Sequence, residues 1–218
     1  MLRIVLIVCV TLITMATVVP VIESFVVEKK EGYLNCVRKK PMVVLALAIA
    51  IVGAAVLHFC FLQNDRLVYL DCLQDQCVWY VVLLIATVDF FTKKIPNVLI
   101  LGLFGVRIAF IIVSIAITPS QWSTIIGKSV IGLLIGLLFM GTCFLISRGG
   151  LGGGDVKLYS LLGLCYGLYG VITILLYSLL SSVIVGVILL VTHKAKFKST
   201  MAMAPFALIG LTVFILLG

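Results

Sequence analysis

The sequence predicts an all-α, polytopic membrane protein of about eight transmembrane helices. The first observation is composition: of the 218 residues, 63% are hydrophobic and 11% are charged, whereas soluble domains contain about 45–50% apolar and about 25% charged residues. The second is grouping, because the apolar residues lie in stretches close to the roughly 20 residues that cross a bilayer as a helix. These observations exclude a soluble globular protein, a disordered chain and a coiled coil.

The sequence contains eight apolar stretches, and each of them is a predicted transmembrane span. Two of them, 77–91 and 156–169, are short, so we expect their helices to extend beyond the apolar core. The boundary at 169/170 is marked only by the region of Gly167 and Gly170. The stretches are 3–23, 41–63, 77–91, 97–118, 124–147, 156–169, 170–192 and 203–217.

The charges of the loops predict orientation, because Lys and Arg are concentrated in cytoplasmic loops. With eight spans the basic loops all fall inside and both termini lie outside. Seven spans, with 156–192 as one crossing, would move the basic loop 193–200 outside, so eight is preferred. The loops expected inside are 28–40, 92–96, 148–157 and 193–200, and those expected outside are 64–76 and 118–123.

Two regions follow from this topology: a two-helix region at 1–76 with a short basic cytoplasmic loop, and a six-helix core at 77–218. The first span has a second interpretation, since Arg3, an apolar run and Ser24 are arranged as in a signal peptide. No A-x-A cleavage site follows the run, and a retained helix fits the basic loop behind it better.

Carboxylate chemistry is limited to eight acidic residues. Asp89 and Asp155 stand out because each lies where an apolar helix meets the cytoplasmic interface, and an ionisable group at such a position suggests a functional site. We expect three of the others to be solvated on the outer face and three to lie near the end of the first span or in the basic loop. These six are Asp65, Asp71 and Asp75, and Glu23, Glu28 and Glu31.

Asp89 and Asp155 fall on the same side of the membrane in this topology. When two carboxyl groups lie close together, like-charge repulsion keeps one protonated and lets the other ionise. The ionised group can activate water as a general base, and the protonated group can polarise a peptide carbonyl. Aspartic proteolysis needs this pair and neither a metal nor another cofactor. A simpler interpretation makes Asp155 only a helix N-cap after a glycine-rich loop.

Three segments carry a family resemblance. Asp89-x-x-Thr92-x-x-Ile95-Pro96-Asn97 and the later Gly152-Gly153-Gly154-Asp155-Val156-Lys157-Leu158 resemble the type IV prepilin peptidases, which are membrane aspartic proteases with a GxGD motif. The late segment Ala204-Pro205-Phe206-Ala207-Leu208-Ile209-Gly210 is similar to the last helix of that family, with its Pro-Phe pair and small residues. The resemblance covers about residues 77–217. It implies that Asp89 and Asp155 are catalytic and that nearby residues bind substrate or support the loops: Thr92, Lys93, Lys94, Pro96, Asn97, Gly152, Gly153, Gly154, Lys157 and Pro205.

The resemblance further implies a multi-pass enzyme of the inner (cytoplasmic) membrane, with its site facing the cytoplasm. Its partners would be membrane lipid and prepilins or pilin-like proteins, from which it would cut the basic leader, and not nucleic acid. Homo-oligomerisation is left open. Longer members carry a cytoplasmic insert with two CxxC pairs, linked to N-methylation of the new pilin terminus. Loop 28–40 has only Cys36, so a peptidase-only form is expected.

A different class of function is also compatible with the two aspartates: a small ion-coupled transporter or a pilus-assembly factor that uses them as cation sites. Transporters often have inverted repeats and sites near the bilayer midplane. No repeat is evident here, and both acids lie at one interface. An inactive scaffold protein is a third alternative. Such a protein would tolerate the loss of either aspartate, whereas this sequence contains both, which favours an active protein. His58 and His193 lack metalloprotease spacing, and no GxSxG motif occurs.

Three other features stay open at this stage. Arg107, near the middle of the fourth span, either binds a carboxylate or helix C-terminal carbonyls, or snorkels to the outer interface. Cys72 and Cys77 would form a disulfide only if their loop faces an oxidising compartment. Small residues at regular spacing in the fifth span predict close helix packing. They are Gly127, Gly132, Gly136 and Gly141.

Overall fold

The computed structural model of the chain describes residues 69–147, 150–192 and 202–217. Within these ranges the protein is helical and contains no strand, which confirms the predicted all-α class. Four predicted segments lie outside the described residues: spans 3–23 and 41–63, and the basic loops 28–40 and 193–200. The last predicted span, 203–217, is described in full.

Five α-helices and one short 3₁₀ turn make up the described part. Four of the helices are long and apolar enough to cross a membrane, by length and composition, and the last is a shorter apolar helix. In chain order they are α1 (Tyr69–Thr92), α2 (Asn97–Ile117), the 3₁₀ turn (Pro119–Gln121), α3 (Trp122–Ile146), α4 (Gly153–Val191) and α5 (Ala204–Leu217). The outward faces of α2 and α3 carry large exposed apolar side chains, such as Leu101 and Leu138, as expected of surfaces that meet lipid.

Helix α1 begins at Tyr69, two turns before the predicted start at residue 77. Residues 69–76 are therefore helical, and the expectation that they form an outer loop is wrong. Cys77 lies in this helix as a free thiol and forms no disulfide. Asp71 is exposed as expected, but Asp75 is only partly exposed and lies beside Tyr166. Hydropathy missed these turns because their polar side chains pack against other helices.

Helix α4 reverses direction at Gly167. This residue has φ 68° and ψ −164°, a conformation that is essentially restricted to glycine. Tyr159, before the break, lies against Ser178, after it, although its hydroxyl completes no hydrogen bond of standard geometry. In a straight helix these residues would be about 28 Å apart, at 1.5 Å per residue. Helix α4 therefore consists of two antiparallel arms, which we call the first arm (residues 153–166) and the second arm (residues 168–191).

The first arm is the centre of the bundle. Its side chains Leu158, Tyr159 and Leu162 are fully buried, and α3 packs closely against it through two glycines. A Cβ atom at Gly136 would lie 2.7 Å from the carbonyl oxygen of Tyr159, and one at Gly132 would collide with the carbonyl oxygen of Gly163. Because Gly127 and Gly141 face open space, only the middle two glycines of the predicted stripe make the close contact.

Helices α1 and α5 lie side by side and run antiparallel. The indole Nε1 of Trp79 in α1 donates a hydrogen bond of 2.9 Å to Oγ1 of Thr212 in α5. The first residue of α5, Ala204, reaches the end of α1 near Asp89. The end of α1 and the starts of α2, α4 and α5 thus meet at one end of the bundle, which we call the aspartate end.

Candidate active site

Asp89 lies in the last turn of α1 and is buried, with 5% of its surface exposed. Its Oδ2 atom accepts a hydrogen bond of 3.1 Å from the backbone N–H of Ala204, and the backbone of Met203 also interacts with it. The first N–H groups of a helix have no partner within that helix, and the helix dipole favours negative charge at this end. The start of α5 therefore fixes the Asp89 carboxyl group in place.

Asp155 is the third residue of α4 and has 8% of its surface exposed. Its Oδ2 atom accepts a hydrogen bond of 3.1 Å from the backbone N–H of Gly152, the residue that caps the helix. Asp155 therefore lies inside the first turn and reaches back to the cap, rather than occupying the cap position itself. This contact orients the carboxyl group through Oδ2 alone, so Oδ1 stays available for another interaction.

Both buried carboxyl groups lie at the aspartate end, where the loop after α1 packs on the start of the first arm through Ile95 and Gly154, and the two groups interact electrostatically. Each belongs to a different helix, and each accepts a hydrogen bond from a backbone N–H near a helix N-terminus. Two buried acids at one site are the arrangement in which a single proton can be shared between the pair. Such a pair can supply one general base and one general acid.

Ile95, in the loop after α1, packs directly on Gly154. A Cβ atom at Gly154 would lie 2.9 Å from the Cβ of Ile95, so only glycine fits there without displacement. At the neighbouring Gly153, which is the x position of GxGD, an added Cβ atom would meet nothing within 4 Å. The two segments singled out in the sequence are thus in contact through Ile95 and Gly154.

A hydrogen bond also joins these segments. Nζ of Lys157, one turn into α4, donates a hydrogen bond of 3.0 Å to Oδ1 of Asn97. Asn97 is the first residue of α2, where the cap residue is Pro96 and no side chain caps the helix. The side chain of Asn97 therefore connects α2 to the first arm.

The other residues singled out in the sequence shape the neighbouring turns. Oγ1 of Thr92 donates to the carbonyl of Val88 at 2.8 Å and accepts from the N–H of Lys94 at 3.3 Å. Lys93 adopts a left-handed backbone conformation, with φ 53°, and both lysines are exposed. Pro205 is partly exposed in the first turn of α5, next to Ala204.

Arg107 does not snorkel to an interface. Its Nε atom donates a hydrogen bond of 3.0 Å to the carbonyl of Leu164, near the end of the first arm. This is one of the two outcomes that the sequence left open, namely binding of helix C-terminal carbonyls. Its position far from the aspartates places it outside the candidate active site.

Sequence reasoning missed two contributors to the site. Ala204 begins a segment singled out in the sequence, but the bond from its backbone N–H to Asp89 has no side-chain signature that a sequence pattern could show. Ile95 was part of a motif, but its packing on Gly154 depends on how two distant loops meet. In the part of the chain that the structure describes, no group of three or more His, Cys, Asp or Glu residues is arranged to hold a metal ion.

Comparison with known proteins gives one match. The model of the type IV leader peptidase family matches residues 77–191, which is more than half of the chain. This range includes Asp89 and Asp155 and ends before α5. No curated protein and no solved structure matches the chain.

Proposed function

Since the chain belongs to the type IV leader peptidase family, we propose that it is an aspartic endopeptidase of the membrane whose catalytic pair is Asp89 and Asp155. The observation that supports this pair most strongly is the meeting of two buried carboxyl groups from different helices at the aspartate end. Leader peptidase activity follows from the family, whereas the catalytic class and the residues are our proposal.

The pair would act on a water molecule bound between the carboxyl groups. The ionised carboxylate takes a proton from the water as its oxygen attacks the carbonyl carbon of the scissile peptide bond. The protonated carboxyl group donates its proton to the carbonyl oxygen, so that a neutral tetrahedral intermediate forms. Collapse of this intermediate breaks the C–N bond: the carboxyl group that took the water proton gives it to the leaving nitrogen, and the other, now ionised, carboxylate takes a proton from a hydroxyl group of the intermediate. One proton is then again shared by the pair.

The backbone contacts support this chemistry by holding both acids in place. The N–H groups of Ala204 and Gly152 each bind one Oδ2 atom, which limits rotation of the carboxyl groups before substrate arrives. Prepositioned groups lower the barrier because less reorganisation is needed in the transition state.

For substrate, we propose prepilins or pilin-like proteins with a basic leader. The aspartate end would face the cytoplasm of an inner membrane, because loop 92–96 at this end contains Lys93 and Lys94. With the two arms of α4 counted separately, residues 69–217 would cross the membrane six times, and the predicted spans 3–23 and 41–63 would bring the total to eight. We further propose that the chain lacks N-methyltransferase activity, since loop 28–40 contains only one cysteine.

The direct test uses purified protein in proteoliposomes with a candidate prepilin, and compares the wild type with Asp89→Asn and Asp155→Asn. We expect each variant to lose about 10²–10⁴-fold in kcat, the usual contribution of a general acid or base. Asp71→Asn is the matched control, because Asp71 is an exposed acid on the same helix as Asp89, and its rate should not change. Cleavage by either active-site variant at the wild-type rate would refute the assignment.

A second measurement tests the peptidase-only proposal. The mature product is analysed by mass spectrometry after incubation with the purified chain and a methyl donor. We expect an unmodified N-terminus, and an added methyl group would contradict the proposal without affecting the assignment of the aspartates.

A further inference from the structure

A polar cluster lies at the end of the first arm farthest from Asp155, and Arg107, from the middle of α2, is its centre. Besides the bond to the Leu164 carbonyl, its Nη1 atom donates to Oε1 of Gln74, and its Nη2 atom donates to Oγ of Ser129 at 2.7 Å. One guanidinium group in α2 thus connects α1, α3 and the first arm of α4.

The cluster binds the end of the first arm. Nε2 of Gln74 donates to the carbonyl of Cys165 at 3.3 Å, next to the carbonyl of Leu164 that Arg107 binds. The break at Gly167 removes the donors that a continuing helix would offer to these carbonyls. A cation is also favoured at a helix C-terminus by the helix dipole. Arg107 and Gln74 therefore cap this arm from outside it.

The same arm carries Asp155 at its other end. Asp155 and Cys165 are ten residues apart, which corresponds to about 15 Å of helix. Gln74, for its part, lies on the helix that carries Asp89. Bonds made at this end therefore fix how far the arm slides, and how it rotates, relative to α1.

We infer that Arg107 is a positioning residue, which holds the first arm so that Asp155 stays opposite Asp89. The inference rests on the proposed function, because it assigns Arg107 a role in the same reaction. Arg107 touches neither aspartate. Arginine suits this role because its planar fork reaches acceptors on three different elements at once, whereas a lysine ammonium would reach fewer of them.

A variant at this position should still fold. The cluster borders a cavity of about 530 Å³, so water can reach the carbonyl and amide groups that lose their partner. The bundle also keeps an apolar core that includes Trp79 and Leu162, to which the Arg107→Met side chain adds apolar volume. The expected defect is therefore in position rather than in folding.

The kinetic test compares Arg107→Met and Arg107→Lys with the wild type in the leader-cleavage assay. For Arg107→Met we expect kcat to fall about 100-fold with KM unchanged, the effect of misplacing a reacting group by about 1 Å. Arg107→Lys should recover part of this loss. The matched control is Lys128→Met, since Lys128 is exposed and lines the same cavity without bonding to the cluster. It should cleave at the wild-type rate.

A distance measurement reports the position of the first arm relative to α1 independently of cleavage activity. Spin labels are attached to Phe90→Cys and Gly153→Cys, with the seven native cysteines replaced by alanine. Phe90 is 50% exposed, and an added Cβ atom at Gly153 meets nothing. In Arg107→Met the distance distribution between the labels should shift or broaden, and in Lys128→Met it should match the unmutated labelled protein.

The outcomes are distinct. Unchanged kcat in Arg107→Met, an unchanged distance distribution, or an equal loss in Lys128→Met would overturn the inference while leaving the proposed function intact. If the wild type cleaves no prepilin, the proposed function fails, and the distance measurement alone decides whether Arg107 positions the arm. If Arg107→Met does not fold, Ser129→Ala removes one acceptor and should give a smaller loss of kcat together with a smaller shift in distance.

Discussion

Replacing Gly154 by alanine tests the contact between the two segments that carry the aspartates. The added Cβ atom would lie 2.9 Å from Cβ of Ile95, and Cγ1 and Cδ1 of the same side chain would be 3.4 and 3.5 Å away. Because the nearest atom is Cβ, rotation of the Ile95 side chain cannot relieve the overlap. The backbone of one loop must move away from the other.

The size of that movement follows from ordinary contact distances. Carbon atoms in contact are about 3.5–4.0 Å apart, so the loops must separate by roughly 0.6–1.1 Å from the 2.9 Å contact. Asp155 is the next residue in the chain and should move with Gly154. A displacement of about 1 Å in a catalytic group can reduce kcat about 100-fold, and overpacking of this kind costs roughly 1–3 kcal/mol of stability.

The assay measures kcat and KM for prepilin cleavage by Gly154→Ala, with Gly153→Ala as the control, together with unfolding of both proteins in detergent. Gly153→Ala should behave as the wild type because the added atom meets nothing within 4 Å. In an Ile95→Gly background, which lacks the clashing atom, Gly154→Ala should cause little further loss. If Gly154→Ala cleaves as well as Gly153→Ala, or if the two losses are simply additive, the contact does not position Asp155.

Three further changes probe the packing around the site. Gly136→Ala should destabilise the protein by roughly 1–3 kcal/mol in detergent unfolding, because its Cβ atom would lie 2.7 Å from a carbonyl oxygen of α4. The control Gly141→Ala should have no effect, because its added atom meets nothing within 4 Å. Equal stabilities of the two variants would contradict this prediction. Trp79→Phe should cost about 1 kcal/mol through loss of the bond to Thr212, and a double-mutant cycle with Thr212→Val should show coupling rather than additivity. Lys157→Met should change stability by less than about 1 kcal/mol, because its bond is exposed; a larger drop in the unfolding free energy would show that this link between α2 and α4 matters more than its exposure suggests.

The fold class could be predicted because it depends on composition, and membrane helices are recognised from runs of apolar residues. The ends of the helices could not be predicted equally well. Gln74 and Gln76 are buried in α1, yet their polarity suggested a loop at 69–76. Hydropathy describes each side chain as if it faced lipid, and cannot anticipate a polar group that binds the neighbouring helix instead.

The candidate site shows a similar division. Asp89 and Asp155 could be selected because acidic residues are rare and these two adjoin apolar helices. Their surroundings depend on long-range contacts that involve the backbone, such as the bond from Ala204 to Asp89. The sequence placed Gly167 at an uncertain boundary and did not predict a reversal there, because the backbone conformation of this residue, not its side chain, reverses the chain.

The bond between Ala204 and Asp89 bears on when the enzyme becomes competent during synthesis. Asp89 is translated and inserted well before residue 204, so a nascent chain holds both aspartates before the helix that anchors one of them exists. Until α5 has entered the membrane, the Asp89 carboxyl group lacks the backbone donor that fixes its orientation. Proteolytic competence should therefore appear late in biogenesis, after the other described helices around the two aspartates are already in place. Ribosome-stalled chains that end before and after α5 would show this as an abrupt gain of activity.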